Sequence, residues 1–172
     1  MMNTLEDLLT RNPWSTDEMY DFESEYEKSE FFEWFKKEAR HYTGNMSYSF
    51  SSQLLKEVIP SGCYGNGQYI SLKDKEMKYV EGIVSPEGTY VGGYIPHGFN
   101  VKENRVTDYT YKKIVSETPH FLEKMPTEYW GIEIPLSYIE RQRGSEPIKP
   151  NLLHKPLLLQ YWRDNFKSSD KV

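Results

Sequence analysis

The chain has one cysteine, Cys63, so no intramolecular disulfide can hold its fold together. A reduced, intracellular setting is the simpler reading, and the expected location is cytoplasmic. No apolar run approaches the roughly 20 residues that a membrane-spanning helix needs. Met1 to Asp7 has no basic cluster leading into an apolar stretch, so no signal peptide is read there and no membrane partner is expected. Blocks of Lys or Arg are also missing, and the formal net charge is −5, which argues against nucleic acid as a partner. The four histidines, His41, His97, His120 and His154, lack the spacing of metal ligands, so neither a structural metal nor a cofactor is expected. The glycine-rich stretch Gly62-Cys63-Tyr64-Gly65-Asn66-Gly67 lacks the Lys-Ser/Thr pair of a phosphate-binding loop.

What is abundant is aromatic surface. Fourteen Tyr, eight Phe and four Trp raise the aromatic share to 15% in a chain whose hydrophobic share is only 37%. Such rings supply buried area while keeping polar tips wetted or hydrogen-bonded. At 172 residues the chain is long enough for a real core without disulfides or metals, and a single domain over 1–172 is the natural expectation.

The pattern predicts an α+β protein. A short helix is read over 4–11, interrupted by Pro13 and Trp14. A longer helix is expected from a cap at Ser15 or Thr16 to about residue 42, with Phe22, Tyr26, Phe31, Phe32, Phe35 and Ala39 at roughly helical spacing. Phe31, Trp34 and Phe35 read as core. Helical character over Gln53 to Val58 is followed by turn residues, then by a helix from Cys63 to about Lys73 despite its glycines. Met77 to Val84 alternates as a strand, with Glu81 read as pointing to solvent. Ser85 to Gly88 is read as a turn and Thr89 to Tyr94 as extended. Pro96 to Lys102 and Arg105 to Tyr111 read as two strands joined by a tight turn at Glu103-Asn104. Trp130 to Pro135 is a further strand, and Leu136 to Gln142 and Leu157 to Phe166 are helices.

Cys63, His97 and Asp108 follow one another in that order. A thiolate nucleophile needs a base, and the base needs an acceptor that orients it. Cys63 at a helix start gains from the helix dipole and from unpaired N–H groups, which also suit an oxyanion. His97 and Asp108 lie on strands joined by a short hairpin, which allows both on one face. Taken singly, each has a plain structural reading: a small buried hydrophobe, a hydrogen-bonded histidine, a turn acid. Asn66 either binds substrate or caps a turn, and Tyr64 either packs or flanks a cleft.

The order also resembles the transglutaminase-like branch of the papain-like cysteine enzymes. That family sets Cys at a helix N-terminus, packed on an antiparallel sheet that carries His and then Asp. Its His-Ala-Trp-like segment is matched here by His97-Gly98-Phe99 and its Asp-Pro-Thr-like segment by Asp108-Tyr109-Thr110. Phe99 stands in place of Trp, and no Pro follows Asp108. The resemblance covers about residues 50–135; an N-terminal helical segment, 1–45, and a C-terminal one, 136–172, lie outside it. It implies Cys63 as nucleophile, His97 as base and Asp108 as orienter, with Gln53 in the place of an oxyanion-binding glutamine. The expected function is thiol-dependent acyl transfer on a protein, peptide or small amide: hydrolysis, deamidation or transglutamination. The competing reading is a binding or inhibitor protein on the same fold.

Overall fold

The computed structural model describes residues 20–43, 50–86, 94–120, 126–150 and 155–168. Helix α1 (Glu25–Glu38) starts where Ser24 accepts the Glu27 N–H at 3.1 Å. Acids occupy its first turn and Lys36 and Lys37 its last, complementing the helix dipole. The cap is Ser24, not Ser15 or Thr16, and Tyr20 to Glu23 are not helical. Nor does the helix reach residue 42. Ala39 turns extended, and Arg40–Thr43 becomes strand β1, paired antiparallel with β5 (Pro126–Ile134). The ladder and the burial of Tyr42 outweigh the helical spacing that ran on through this segment.

Helix α2 (Ser52–Glu57) is capped by Ser51, and α3 (Cys63–Lys73) follows a turn. Strands β2 (Lys78–Pro86), β3 (Ile95–Lys102) and β4 (Arg105–Thr107) complete one five-stranded antiparallel sheet of order β1-β5-β2-β3-β4. Strand β2 runs through Ser85 and Pro86, where a turn was read. Glu103 and Asn104 both have positive φ (51° and 62°), the backbone of a tight hairpin turn whose twist suits the flanking strands. Strand β4 is shorter than the sequence suggests. It stops at Thr107 because Asp108 caps a helix, α4 (Tyr109–Glu117), by accepting the Tyr111 N–H at 3.1 Å. Helices α5 (Leu136–Arg143) and α6 (Leu158–Asn165) complete the described elements. The expected helix over 4–11 and most of the extended run 89–94 lie outside the described residues.

The sheet curls until its end strands β1 and β4 touch. Inside the curl lie Tyr42, Val80, Val84, Phe99, Val101, Val106 and Tyr129. On the outer face Tyr79, Ile83 and Ile134 pack against Phe31 and Phe35 of α1 and Leu158 and Trp162 of α6. Helix α3 lies on β2 and β3, and Gly67, one of its two glycines, is what lets it do so. A Cβ on Gly67 would come within 2.8 Å of the Tyr79 ring, so close approach to the sheet offsets the helix-propensity cost.

Two polar clusters tie the terminal segments to this core. Arg163 grips Glu27 through both carboxylate oxygens at 2.8 Å, and Lys167 adds a third contact at 2.9 Å, joining α6 to α1. Glu81 does not face solvent. It is fully buried, accepting from Tyr20 Oη at 3.1 Å, Tyr79 Oη at 2.8 Å and the N–H groups of Leu157 and Leu158 at 2.8 and 3.0 Å. Helix α6 has no side-chain cap of its own, and Glu81 supplies one from the central strand.

Candidate functional site

Cys63 is the first residue of α3, partly buried and in the free thiol form. The turn before it is held by Asn66. The Asn66 amide accepts from Ile59 N at 3.0 Å and donates to Ile59 O at 2.6 Å and Thr110 Oγ1 at 2.9 Å. It thereby joins the approach to Cys63 to the first turn of α3 and to α4. As in any helix, the first-turn N–H groups beside Cys63 have no intrahelical acceptor.

The bare α-carbon of Gly98 lets α3 close on β3. A Cβ there would meet Tyr64 Cα at 3.1 Å and Tyr79 Oη at 3.0 Å. This contact sets the first turn of α3 beside His97. Because β4 stops at Thr107, opposite Asn100, the edge of β3 over residues 97–99 has no strand beyond it among the described residues. Extending the register by one residue puts Asp108 opposite Phe99, on the same face as His97 and within diagonal reach. His97 Nε2 and Asp108 Oδ2 lie 2.8 Å apart, with His97 5% and Asp108 1% exposed. Cys63 lies near enough that its sulfur acts on the proton affinity of the imidazole. With Nε2 turned to Asp108, Nδ1 is the ring nitrogen left for the sulfur.

The electrostatics follow from this enclosure. Burial by itself pulls the proton affinity of His97 down, but the Asp108 carboxylate and the Cys63 sulfur more than reverse it, raising its pKa to about 10. Tyr64 is buried, and its hydroxyl is pushed above the ordinary range by burial, then by the charges of Cys63 and Glu81. Tyr111, whose ring centroid is 5.1 Å from that of His97, is pushed up by burial, then by Asp108 and Cys63.

The structure therefore brings together Cys63, His97 and Asp108, with Tyr64 alongside. Asn66 is 1% exposed, its amide taken up by Ile59 and Thr110, which is the turn-holding alternative of the sequence analysis. Gln53 lies exposed on α2 and donates to Glu57 at 3.4 Å; the contacts that join the other three do not include it.

The sequence analysis missed Tyr129. Its hydroxyl donates to Asp108 Oδ2 at 2.9 Å from β5, and only the fold brings these residues together. Tyrosine in a strand carries no sequence signal of such a role. Thr110 was read only as part of the segment that begins at Asp108, without a role of its own.

Among the described residues no three His, Cys, Asp or Glu side chains converge as metal ligands, and no helix is long and apolar enough to cross a membrane. His41 is spent on a pair with Glu128. His154 lies outside the described residues.

In class the molecule is a mixed α+β protein. Its curled antiparallel sheet is flanked by helices, with a half-buried cysteine beside a buried His–Asp pair, an arrangement broadly consistent with cysteine hydrolases. Comparison with protein-family models, curated proteins and solved structures gives no match.

Proposed function

We propose that this chain is a thiol-dependent acyl-transfer enzyme acting on an amide, with Cys63 as nucleophile, His97 as general base and acid, and Asp108 as orienter. The observation that carries this reading is the double engagement of His97. One side of the ring meets a buried carboxylate at 2.8 Å, and the ring also feels the sulfur of Cys63 at the start of α3.

The chemistry runs as follows. His97 Nδ1 takes the Cys63 proton and the thiolate attacks the amide carbonyl carbon. The tetrahedral oxyanion lies near the first-turn N–H groups of α3. The C–N bond breaks, the amine leaves with the proton from His97, and a Cys63 thioester remains. Water or a second amine then attacks, giving up its proton to His97. The C–S bond breaks and the thiolate is restored. With water the product is a carboxylic acid, as in proteolysis or deamidation; with an amine it is a new amide. Throughout, Asp108 holds the proton on Nε2, so that Nδ1 faces the sulfur.

Alkylation by iodoacetamide tests the reading, measured against pH in the wild type and in His97→Ala. The expected result is a thiol that reacts fast near neutral pH in the wild type and slowly without His97. A thiol that reacts only on unfolding, or equally well without His97, would turn the assignment to a binding protein on the same fold.

A further inference from the structure

The geometry points to Tyr129 as a positioning residue of this reaction, one that shares Asp108 Oδ2 with His97 and so limits how much of the carboxylate's charge reaches the imidazole. The inference rests on the reading above and adds a residue to it.

Asp108 is buried and accepts three hydrogen bonds. Oδ1 takes the Tyr111 N–H at 3.1 Å, while Oδ2 takes both His97 Nε2 at 2.8 Å and the Tyr129 hydroxyl at 2.9 Å. The two ends of the carboxylate are therefore not equivalent. Oδ1 is fixed to the first turn of α4, and Oδ2 is divided between an imidazole and a phenol. The phenol cannot swing away. Tyr129 is 1% exposed, and its ring packs edge-on against Phe99, with centroids 4.9 Å apart at 65°. Burial, then the Asp108 charge, holds its proton firmly, so it stays a donor.

The groups that face His97 are Cys63 from the start of α3, Asp108 and Tyr111 from the cap and first turn of α4, and Phe99 and Tyr129 from the sheet. Of these, Tyr129 is the one that meets the same carboxylate oxygen as His97.

A second donor on one oxygen draws off charge that the first would otherwise feel. Without it Asp108 grips the imidazolium harder, and His97 becomes a base only at higher pH. That matters most after acylation, when no thiolate remains and a neutral His97 must take a proton from water.

The test uses Tyr129→Phe with two readouts: the ring-nitrogen titration of His97 in ¹⁵N-histidine-labelled Cys63→Ser protein, and the pH profile of thioester hydrolysis after acylation by p-nitrophenyl acetate. Tyr129→Phe should raise the His97 titration by about one unit, move the hydrolysis profile up with it and slow hydrolysis about tenfold at neutral pH, the size of one hydrogen bond to a charged group. In an Asp108→Asn background the same change should add nothing. An unmoved or lowered His97 titration, or an undiminished effect in that background, overturns the assignment. If Tyr129→Phe does not fold, the wild type still decides. A slowly exchanging low-field hydroxyl proton of Tyr129 should vanish in Asp108→Asn, and its persistence there overturns the inference. Failure of the thiol chemistry would show separately, as a Cys63 whose alkylation ignores His97, while the His97 titration still tests Tyr129.

Discussion

Two buried carboxylates in this molecule are built almost alike and serve different ends. Glu81 and Asp108 are 0% and 1% exposed, each sits at a helix N-terminus, and each accepts from tyrosine. Glu81 receives the backbone N–H groups of Leu157, the cap of α6, and Leu158, its first residue, and two phenols, Tyr20 and Tyr79. Asp108 receives one N–H of α4, one phenol and the His97 imidazole. All the donors to Glu81 are neutral and fixed, so its charge does no more than hold the N-terminal and C-terminal segments to the central strand. One donor to Asp108 can gain and lose a proton, and on its far side lies a thiol. A buried carboxylate capped by a helix is thus a structural device until a titratable ring is put on it.

Substitution by the isosteric amide separates the two roles. Asp108→Asn meets a constraint: Tyr111 N–H demands the amide oxygen at Oδ1, so the NH₂ must face His97 and Tyr129. His97 Nε2 then has to accept, its proton moves to Nδ1, and the ring no longer serves as a base toward Cys63. On the proposed reading, acyl transfer should fall about 10³–10⁴-fold, with the melting temperature little changed. Full activity in this variant would remove Asp108 from the mechanism.

Glu81→Gln should do the reverse. An NH₂ replaces an oxygen that a backbone N–H and a phenol face; the phenol can turn to accept, but the N–H of Leu157 or Leu158 is left unpaired in the interior. Stability should drop by about 3 kcal/mol, or about 6–12 °C in a thermal melt. If Glu81→Gln melts like the wild type, the carboxylate is not what holds α6 in place.

The sequence disclosed half of this comparison. Cys63, His97 and Asp108 were legible because helix start, strand and hairpin are local patterns, and a one-residue extension of the hairpin register brings the last two together. The end of β4 was not legible, because Asp108 reads equally as a strand residue and as a helix cap, and only its bond to Tyr111 N–H decides. Glu81 was misread for a related reason. Alternation in a strand tells inside from outside only when one face meets solvent, and β2 is covered on both. Tyr129, and Tyr20, Leu157 and Leu158 around Glu81, are distant in the chain, so no spacing could announce them. Strand β1 shows the same limit, since helical periodicity ran through Arg40–Thr43 until pairing with β5 overrode it.

A third carboxylate sharpens the contrast through pH. Glu27 is 3% exposed in its side chain but is held by cations, Arg163 and Lys167. Its bonds to Arg163, working against burial, lower its pKa to about 2. A carboxylate whose folded pKa is lowered contributes stability that is fully present above its unfolded value near 4.5 and is lost as pH falls toward 2. Glu81 has the opposite sign: burial raises its pKa despite its donors, so acid does not remove its contribution in that window. The cations on Glu27 are themselves partly exposed, so Glu27→Gln should cost about 2 kcal/mol at neutral pH and little at pH 2. Thermal melts of the variant and wild type should therefore converge across that interval. Curves that stay parallel would mean that the Glu27 cluster is not the acid-sensitive staple.

The smallest expected effect tests how finely the α3–β3 contact sets the distance between thiol and imidazole. Gly98 sits next to His97 and directly beneath Tyr64, and an added Cβ would stand 3.1 Å from Tyr64 Cα. That is tight enough to push the first turn of α3 outward by a few tenths of an ångström, yet not so tight as to undo the packing. Cys63 moves with Tyr64, whereas His97 stays on β3. A displacement of about 1 Å costs on the order of 10²-fold in a positioned reaction, so Gly98→Ala should slow acylation of Cys63 several-fold while the melting temperature shifts by only a few degrees. Glu81→Gln loosens the fold before the chemistry, Asp108→Asn stops the chemistry in an intact fold, and Gly98→Ala should change only the approach of one to the other. An acylation rate equal to that of the wild type would mean that α3 absorbs the extra methyl without moving Cys63, and that the thiol–imidazole distance is set by the Asn66 clamp on Ile59 instead.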